Sequence, residues 1–456
     1  MKLEKILALS LAFITLIPFS LFANSVHAPQ NFITKDGQAV FVDFQDAVYN
    51  LTYESSSKTV KAFSQINFET SEIGLPLFDM VENPTSIVLD GEPVTNKIIS
   101  TPDNDTKLRL ILKTITPGKH TLEIHSPVTE GISFSKEGVS SAFWYSDLDD
   151  RSYLEAYLPA NYEYDQYKML FNIDFKSFAK QRIYTNGKLS KIDSSHFQVE
   201  FPESYTSSSA YFHTAPVGRY NEKLFNFHSI DGRVIPVTAY NAGNRTDLEA
   251  VKSKTLESLA DLEAQYGPFL HSSVTIFNAG SGGMEYCGAT MSDLWALNHE
   301  LTHSYFARGG FMPANGNSGW IDEAVTSWSD DNSPTKVDLG NMKSNMAGHS
   351  EYRRYTDMDA YSKGKSFIAH LHYKLQSVGG MTAFLNQLIL SDSFKPMTTE
   401  EFIKKLSDWS AEDMTPLFKK HVYSGPVFKN SAREKGAAAK RRVHMKMSIK
   451  EMAKYL

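Results

Sequence analysis

Between residues 29 and 231, apolar and polar side chains alternate with a period of two. Leu108, Leu110 and Leu112 alternate with Arg109 and Lys113, and Met169, Phe171, Ile173 and Phe175 with Asn172 and Asp174. Phe197, Val199 and Phe201 do the same with Gln198 and Glu200. Successive residues of a strand face opposite sides of a sheet, so each run predicts a strand with one buried and one solvated face. Clusters of Gly, Pro, Asn, Asp and Ser separate the runs and supply turns. The set predicts an antiparallel β-sandwich or saddle-like sheet domain.

The pattern changes near residue 232. IPVTAYNAG reads as a last strand, and TDLEAVKSKTLESLADLEAQYG then switches to a helical period. Thr246 with Glu249 forms a capping box, Leu248, Val251, Leu259, Leu262 and Tyr266 share one face, and Gly267 falls where a left-handed C-cap belongs. SSVTIFNAG predicts a short strand, and most of the chain beyond it predicts helix. Thr398 and Glu401 form a second capping box, opening a helix with Phe402, Leu406 and Trp409 on its buried side. The fold class is therefore α+β, with a β-rich domain at 29–231 and a mainly helical one at 232–425. No internal repeat is visible.

Composition fits this picture: 456 residues, 41% hydrophobic, 12% aromatic and 21% charged, describe a folded chain long enough for two or three domains. At the start, Lys2 and Lys5 precede an apolar stretch from Ile6 to Phe22, followed by the small residues of ANSVHA. That order predicts a cleavable secretory signal over 1–28 and export to the periplasm or medium. Pro18 and the short apolar stretch disfavour the competing reading, a retained anchor. A single cysteine, Cys287, excludes any intrachain disulfide, so stability outside the cell must come from core size. Its setting suits a small buried hydrophobe better than a nucleophile.

Charge is uneven. Residues 426–456 carry nine Lys/Arg against two Asp/Glu, a net of +7, which leaves −13 on the rest of a chain whose total is −6. A solvated terminal helix is the plain reading of this tail, and contact with a membrane surface is the alternative. The acidic, exported body argues against nucleic acid as a partner.

The chemistry concentrates in LNHELTHSYF, residues 297–306. Residues four apart on a helix differ by about 40° around its axis, so His299 and His303 project from one face on successive turns. Two such imidazoles can bind one Zn²⁺, and Glu300 beside them can take a proton from water. A zinc site needs a third protein ligand. WIDEAVTSW supplies Glu323, nineteen intervening residues after His303, with Asp322 as the adjacent competitor. The Gly/Asn/Pro-rich stretch RGGFMPANGNSG lets the second helix fold back beside the first.

HELTH followed at this distance by WIDEA resembles the HExxH…WxxEG arrangement of the aminopeptidase N-like gluzincin zinc metallopeptidases. GGMEY, Gly282 to Tyr286, resembles the family's GxMEN exopeptidase motif, and YSKG, Tyr361 to Gly364, resembles its YxKG segment. YLEAYLPANYEYDQYKMLFNIDF is similar to the strand region around RxxFPCxDEPxxK. The similarity spans residues 30 to 425. It implies a thermolysin-like catalytic domain after the β-domain, with one Zn²⁺ per chain on His299, His303 and Glu323. Glu300 is implied as general base and Tyr361 as the donor to the oxyanion. Glu285 is implied as the anchor of the substrate's free α-amino group, with Gly282, Gly283 and Met284 along the substrate backbone. The glycines let that backbone approach and extend the strand of SSVTIFNAG. Counting nine residues back from Pro159 assigns Asp150, next to Asp149, as a second amine-binding carboxylate.

The chain departs from the pattern in several places. Glu323 arrives one residue later than usual, Tyr286 and Ala324 replace the usual Asn and Gly, and Tyr361 comes only 38 residues after Glu323. The large C-terminal helical domain has no counterpart, so a short member with an open cleft is expected. The predicted function is an exported zinc aminopeptidase acting on peptides with a free N-terminus. A zinc endopeptidase or glycyl-aminopeptidase-like enzyme on the same scaffold, or an inactive peptide-binding relative, are the alternatives.

Overall fold

The computed structural model of the chain describes residues 27–104, 106–143, 154–178, 180–243, 247–279, 282–331 and 336–425. Most of the leader, the basic tail 426–456, Asp149, Asp150 and Thr246 lie outside the described residues.

A hairpin of two 12-residue strands, Asp43–Glu54 and Thr59–Thr70, organises the first half. It forms the centre of an eight-stranded sheet in which Lys168–Lys176, His196–Phe201 and Lys188–Lys191 extend one side, and Gly118–Val128, Ser86–Leu89 and Glu92–Pro93 the other. The alternating runs at 169–175 and 197–201 bury their apolar members here: Phe171 meets Tyr49 and Phe201 edge-on, with ring centroids 5.1 and 5.3 Å apart. The sheet is mixed rather than antiparallel, because Lys168–Lys176 pairs in parallel with Asp43–Glu54, in register Met169 to Ala47. The chain between these two strands is long enough to provide the crossover that a parallel pair requires.

The run at 108–112 departs from strict alternation. Leu108, Leu110 and Ile111 are buried in the strand Lys107–Ile111, whereas Leu112 is 40% exposed. Arg109 is buried because its guanidinium donates to the carbonyls of Met80, Val81 and Glu82. A charged side chain can enter a sheet interior when its donors are satisfied.

The second sheet starts before the change of pattern near 232. Asn221–His228 pairs with Val234–Asn241, and the order continues through Val274–Asn278 and Ala289–Ser292 to Gly283–Tyr286 at the edge. Of its five strands, only Gly283–Tyr286 and Ala289–Ser292 fall in a stretch read largely as helix. The last hairpin is too short and glycine-rich to show a clear period.

Helices pack against this sheet. They are α1 (Leu248–Tyr266), α2 (Leu297–Thr302), α3 (Gly319–Asp331), α4 (Lys365–Lys374), α5 (Gly380–Asp392), α6 (Thr399–Ser410) and α7 (Thr415–His421). On α1, Val251, Leu259, Leu262 and Tyr266 are buried as the period requires, with Leu248 partly buried. Its N-cap is Asp247, whose carboxylate accepts from Glu249 N at 2.9 Å, rather than the predicted Thr246. Gly267 ends the helix with φ 92°, ψ −174°, a positive-φ stop outside the left-handed helical well. The capping box of Thr398 and Glu401 is present on α6. No helix among the described residues is long and apolar enough to cross a membrane.

A tyrosine cluster joins the second sheet to the four-stranded sheet of Ile132–Phe134, Val139–Phe143, Phe212–Pro216 and Gln181–Thr185. At its centre His213 is fully buried, with Nδ1 2.9 Å from Tyr240 Oη and Nε2 3.1 Å from Tyr220 Oη. Burial, helped by the charge of Arg219, lowers its pKa to about 3. The unfolded chain takes up this proton below the ordinary value near 6.5, but the fold resists it until about 3. This stability is present above pH 6.5 and is lost as pH falls towards 3, by up to about 1.4 kcal/mol per pH unit. Thermal melts at pH 7.5 and 5.0 should show a smaller acid-induced drop in His213→Gln than in the wild-type chain. Equal drops would remove His213 from the acid response.

Candidate metal centre

Asp293 starts the central helix: its Oδ1 accepts from Trp295 N and Ala296 N at 3.0 and 3.1 Å, turning the chain into α2. The regular helix ends at Thr302, yet His303 keeps helical dihedrals (φ −59°, ψ −23°), so His299 and His303 still share a face. Their rings meet edge-on with centroids 4.8 Å apart. The loop after them runs through Met312–Pro313, which pairs with Pro396–Met397, and returns as α3.

Helix α3 reaches both histidines. Glu323 Oε2 lies 3.4 Å from His299 Nε2 and 3.6 Å from His303 Nε2. The extra residue in the loop is therefore absorbed before α3 begins. Adjacent in the chain, Asp322 passes behind His303 and its Oδ1 binds Nδ1. Two turns further on, Asp330 Oδ2 binds His299 Nδ1 at 2.6 Å while its other oxygen accepts from Asn298 Nδ2. Each imidazole has its Nδ1 committed to a carboxylate, which directs Nε2 towards Glu323. One ligand atom from each of His299, His303 and Glu323 lies within 4.8 Å of the other two.

Charge supports the same reading. Burial alone would lower both histidine pKa values, but the surrounding carboxylates reverse the effect. Asp330, Glu323 and Glu300 hold His299 well above its ordinary value, and Asp322, Glu285 and Glu323 lift His303 to about 9. Asp322, buried, is pushed up to about 6 despite the opposing pull of His303. A buried set this rich in carboxylate calls for positive charge, and a divalent cation meets that demand by displacing imidazole protons. Among the described residues the fully buried His303 Nε2 has no hydrogen-bond partner, as a ligand nitrogen has none before it binds. Two imidazoles and one carboxylate are the donor set of a catalytic zinc site.

Glu285, Glu300, Gly283 and Tyr361 of the other predicted residues gather around this centre. Gly283–Tyr286 is the edge strand of its sheet, while Val274–Asn278 lies inside it. At the edge beside the metal centre a substrate strand can therefore add to Gly283–Tyr286, not to the inner strand of SSVTIFNAG as expected. Gly282 has φ 67°, and a Cβ on Gly283 would collide with Glu300 Oε1, so this strand lies directly over Glu300. Ligand-type atoms of Glu285, Glu300 and His303 also fall within 4.8 Å of one another, and all three side chains are buried. Met284 points into the tyrosine cluster and anchors the strand from behind.

Tyr361 sits in a π-helical turn, Ala360–Gly364, that opens α4, and its hydroxyl donates to Glu323 Oε1 at 2.5 Å. Gly364 permits this approach: a Cβ there would stand 2.7 Å from Ala324 Cβ on α3. Asp150 lies outside the described residues. The carboxylate that the β-rich half does bring here is Glu163, which lines a cavity with Glu285, Arg308, Asp322, Arg354 and Thr356. Asp330 and Arg308 were also not singled out from sequence. The i, i+4, i+8 spacing of Asp322, Thr326 and Asp330 was the available signal for Asp330.

No protein-family model matches this sequence, and no curated protein matches it. Solved structures do match its fold. Aminopeptidase A of Legionella pneumophila, in complex with aspartic acid, superposes with TM-score 0.62 at 13% identity over 84% of this chain. The chain spans about half of that protein, 50% of its length. Yeast LTA4 hydrolase with bestatin gives 0.61 at 14% identity, covering 86% of this chain and 69% of the other. An M1 zinc metallopeptidase from Deinococcus radiodurans gives 0.58 at 13%, covering 86% and 96%. The chain has the fold of the M1 zinc metallopeptidases, in agreement with the aminopeptidase N-like resemblance of its motifs.

Replacing Asp330 or Asp322 by Asn keeps the shape but removes the charge that orients each histidine. Competition with a fluorescent zinc chelator should show metal affinity reduced about 10- to 100-fold in either variant. Unchanged affinity in both would mean that these carboxylates do not support a metal site.

Proposed function

We propose that this chain is an exported zinc-dependent aminopeptidase, with a thermolysin-like catalytic half that removes residues from the free N-terminus of peptides. The observation that carries the reading is the convergence of His299 Nε2, His303 Nε2 and Glu323 Oε2 beneath an edge strand that bears Glu285. The apolar leader and the small residues after it support export, and the basic segment 426–456 remains a candidate for surface contact. A mutant of the Deinococcus radiodurans metallopeptidase has been solved with a Tyr-Ser-Ala substrate, and the Legionella aminopeptidase with aspartic acid; both support a site that takes peptides or amino acids.

His299, His303 and Glu323 would hold the zinc ion, which supplies Lewis acidity towards a carbonyl oxygen and acidifies water. The remaining work falls to the protein. The peptide N-terminus lies along Gly283–Tyr286, where the absence of a side chain at Gly283 keeps the strand against Glu300. Glu285 pairs with the α-ammonium group, since an ammonium taken out of water needs an anion beside it. Glu300 takes a proton from the attacking water on its carboxylate and passes it to the departing amine. The Tyr361 hydroxyl, whose one proton goes to Glu323 Oε1 in this structure, would turn that proton from Glu323 to the developing oxyanion.

Glu300→Gln should lower kcat on aminoacyl reporter substrates by about 10²- to 10⁴-fold, with zinc content unchanged. Chelation should abolish turnover of the wild-type chain and added zinc should restore it. Full activity in Glu300→Gln would overturn the mechanism. Glu285→Gln should raise KM for free peptides, and faster cleavage of N-acetylated than of free peptides would favour the endopeptidase alternative.

A further inference from the structure

Five residues beyond His303 the chain carries a buried arginine that the reaction above does not use. Ala307, just before it, has φ 85°, a left-handed conformation that a residue with a Cβ adopts only where its surroundings impose it. The imposition is visible in the loop. Ala307 N donates to Phe311 O, Arg308 N to His303 O at 2.9 Å, and Gly310 N to Tyr305 O. Gly309 and Gly310 leave no room for a Cβ against the carbonyls of Ser304 and Tyr305. The loop is thereby clamped to the end of the histidine-bearing segment, and the clamp aims Arg308 at the amine anchor.

The Arg308 guanidinium lies between two carboxylates from different halves of the molecule. Nη2 is 3.5 Å from Glu285 Oε1 and 3.8 Å from Glu163 Oε1, and Nη1 donates to Ser208 Oγ at 3.1 Å. Ser208 Oγ in turn donates to Glu163 Oε1 at 2.8 Å. The side chains of Arg308 and Glu285 are 4% and 2% exposed, so this contact is not screened by solvent. Glu163, Glu285, Glu300, Asp322 and Glu323 all crowd this region, and mutual repulsion would spread the Glu285 carboxylate over several orientations. The guanidinium, fixed through Nη1 on Ser208 and facing both glutamates with Nη2, offsets that repulsion and favours one orientation. The formal charge of Glu163, Glu285 and Arg308 together is −1, which a single ammonium neutralises.

The geometry points to Arg308 as a positioning residue that holds Glu285, with Glu163 beside it, for the α-ammonium group of the substrate. The inference rests on the aminopeptidase reading. Arg308 acts on the anchor rather than on the reacting atoms, so its loss falls on substrate binding and spares the chemical step.

The test compares wild type, Arg308→Met, Arg308→Lys and Glu285→Gln on a free aminoacyl reporter, with L-leucinamide as a competing amine. Arg308→Met should raise KM and the inhibition constant of L-leucinamide together, by about 10- to 100-fold, with kcat within a few-fold and zinc content unchanged. Arg308→Lys, which keeps the charge and loses the fork, should fall between. A KM and an inhibition constant within twofold of wild type in Arg308→Met would overturn the inference. So would a joint loss of zinc, melting temperature and kcat, the signature of a merely structural arginine. If Arg308→Met does not fold, Arg308→Lys decides: raised constants support the role and unchanged constants refute it. Absence of turnover in wild type, or an unchanged KM in Glu285→Gln, would instead sink the aminopeptidase reading and this inference with it.

Discussion

Two imidazoles four residues apart make a metal site only if something determines which nitrogen each one presents. Here a single helix imposes that choice. Helix α3 sets Asp322 behind His303 and Asp330 behind His299, so both rings turn Nε2 towards the Glu323 that the same helix provides. A carboxylate on the far nitrogen fixes tautomer and ring orientation and makes the near nitrogen a better donor. Three acidic residues of one helix thus act on two histidines of another, and the packing of α2 against α3 becomes the condition for any chemistry at the centre. Burying so many carboxylates is costly unless a cation balances them, which couples the folding of this region to metal.

Close packing at glycines carries that geometry outward. Gly283 brings the edge strand down onto Glu300, and Gly364 brings the π-helical turn onto Ala324, so that Tyr361 reaches Glu323. The pairing of Gly364 with Ala324 bears on one departure of this chain from the WxxEG pattern it resembles. The methyl group at 324 is tolerated because the residue facing it has no side chain. A π turn is a rare way to start a helix, and such turns are frequent at functional sites.

The two halves share this centre rather than merely touching. Arg354 from the half that carries the helices is buried against Asp79 and Glu155 of the β-rich half, with its guanidinium 4.6 Å from the Tyr162 ring centroid. Gln166 of the β-rich half donates to Phe394 O beyond α5 at 2.6 Å. Arg308 meets Ser208 and Glu163 in the same way. Fully desolvated charge pairs hold only with good geometry, so these contacts specify one relative placement of the halves. The β-rich half consequently supplies part of the wall beside Glu285.

What the sequence determined by itself was whatever depends on spacing over a few residues. The i, i+4 histidines with Glu300, the capping box of Thr398 and Glu401, the buried face of α1 and the period-two strands at 169–175 and 197–201 are all local. They arise from helix and strand geometry alone. The return of Glu323 was also legible, because a loop rich in Gly, Asn and Pro between two helical patterns allows little else. Tertiary structure decided the rest. The parallel pairing of Lys168–Lys176 with Asp43–Glu54, the edge position of Gly283–Tyr286 and the inward turn of Arg109 depend on partners distant in the chain. Spacing carries no record of such partners. Asp330 lay within reach of a helical-face argument, but Arg308 and Glu163 did not. A residue whose purpose is to balance charge at a contact between two halves acquires that purpose only once the fold has brought the charges together.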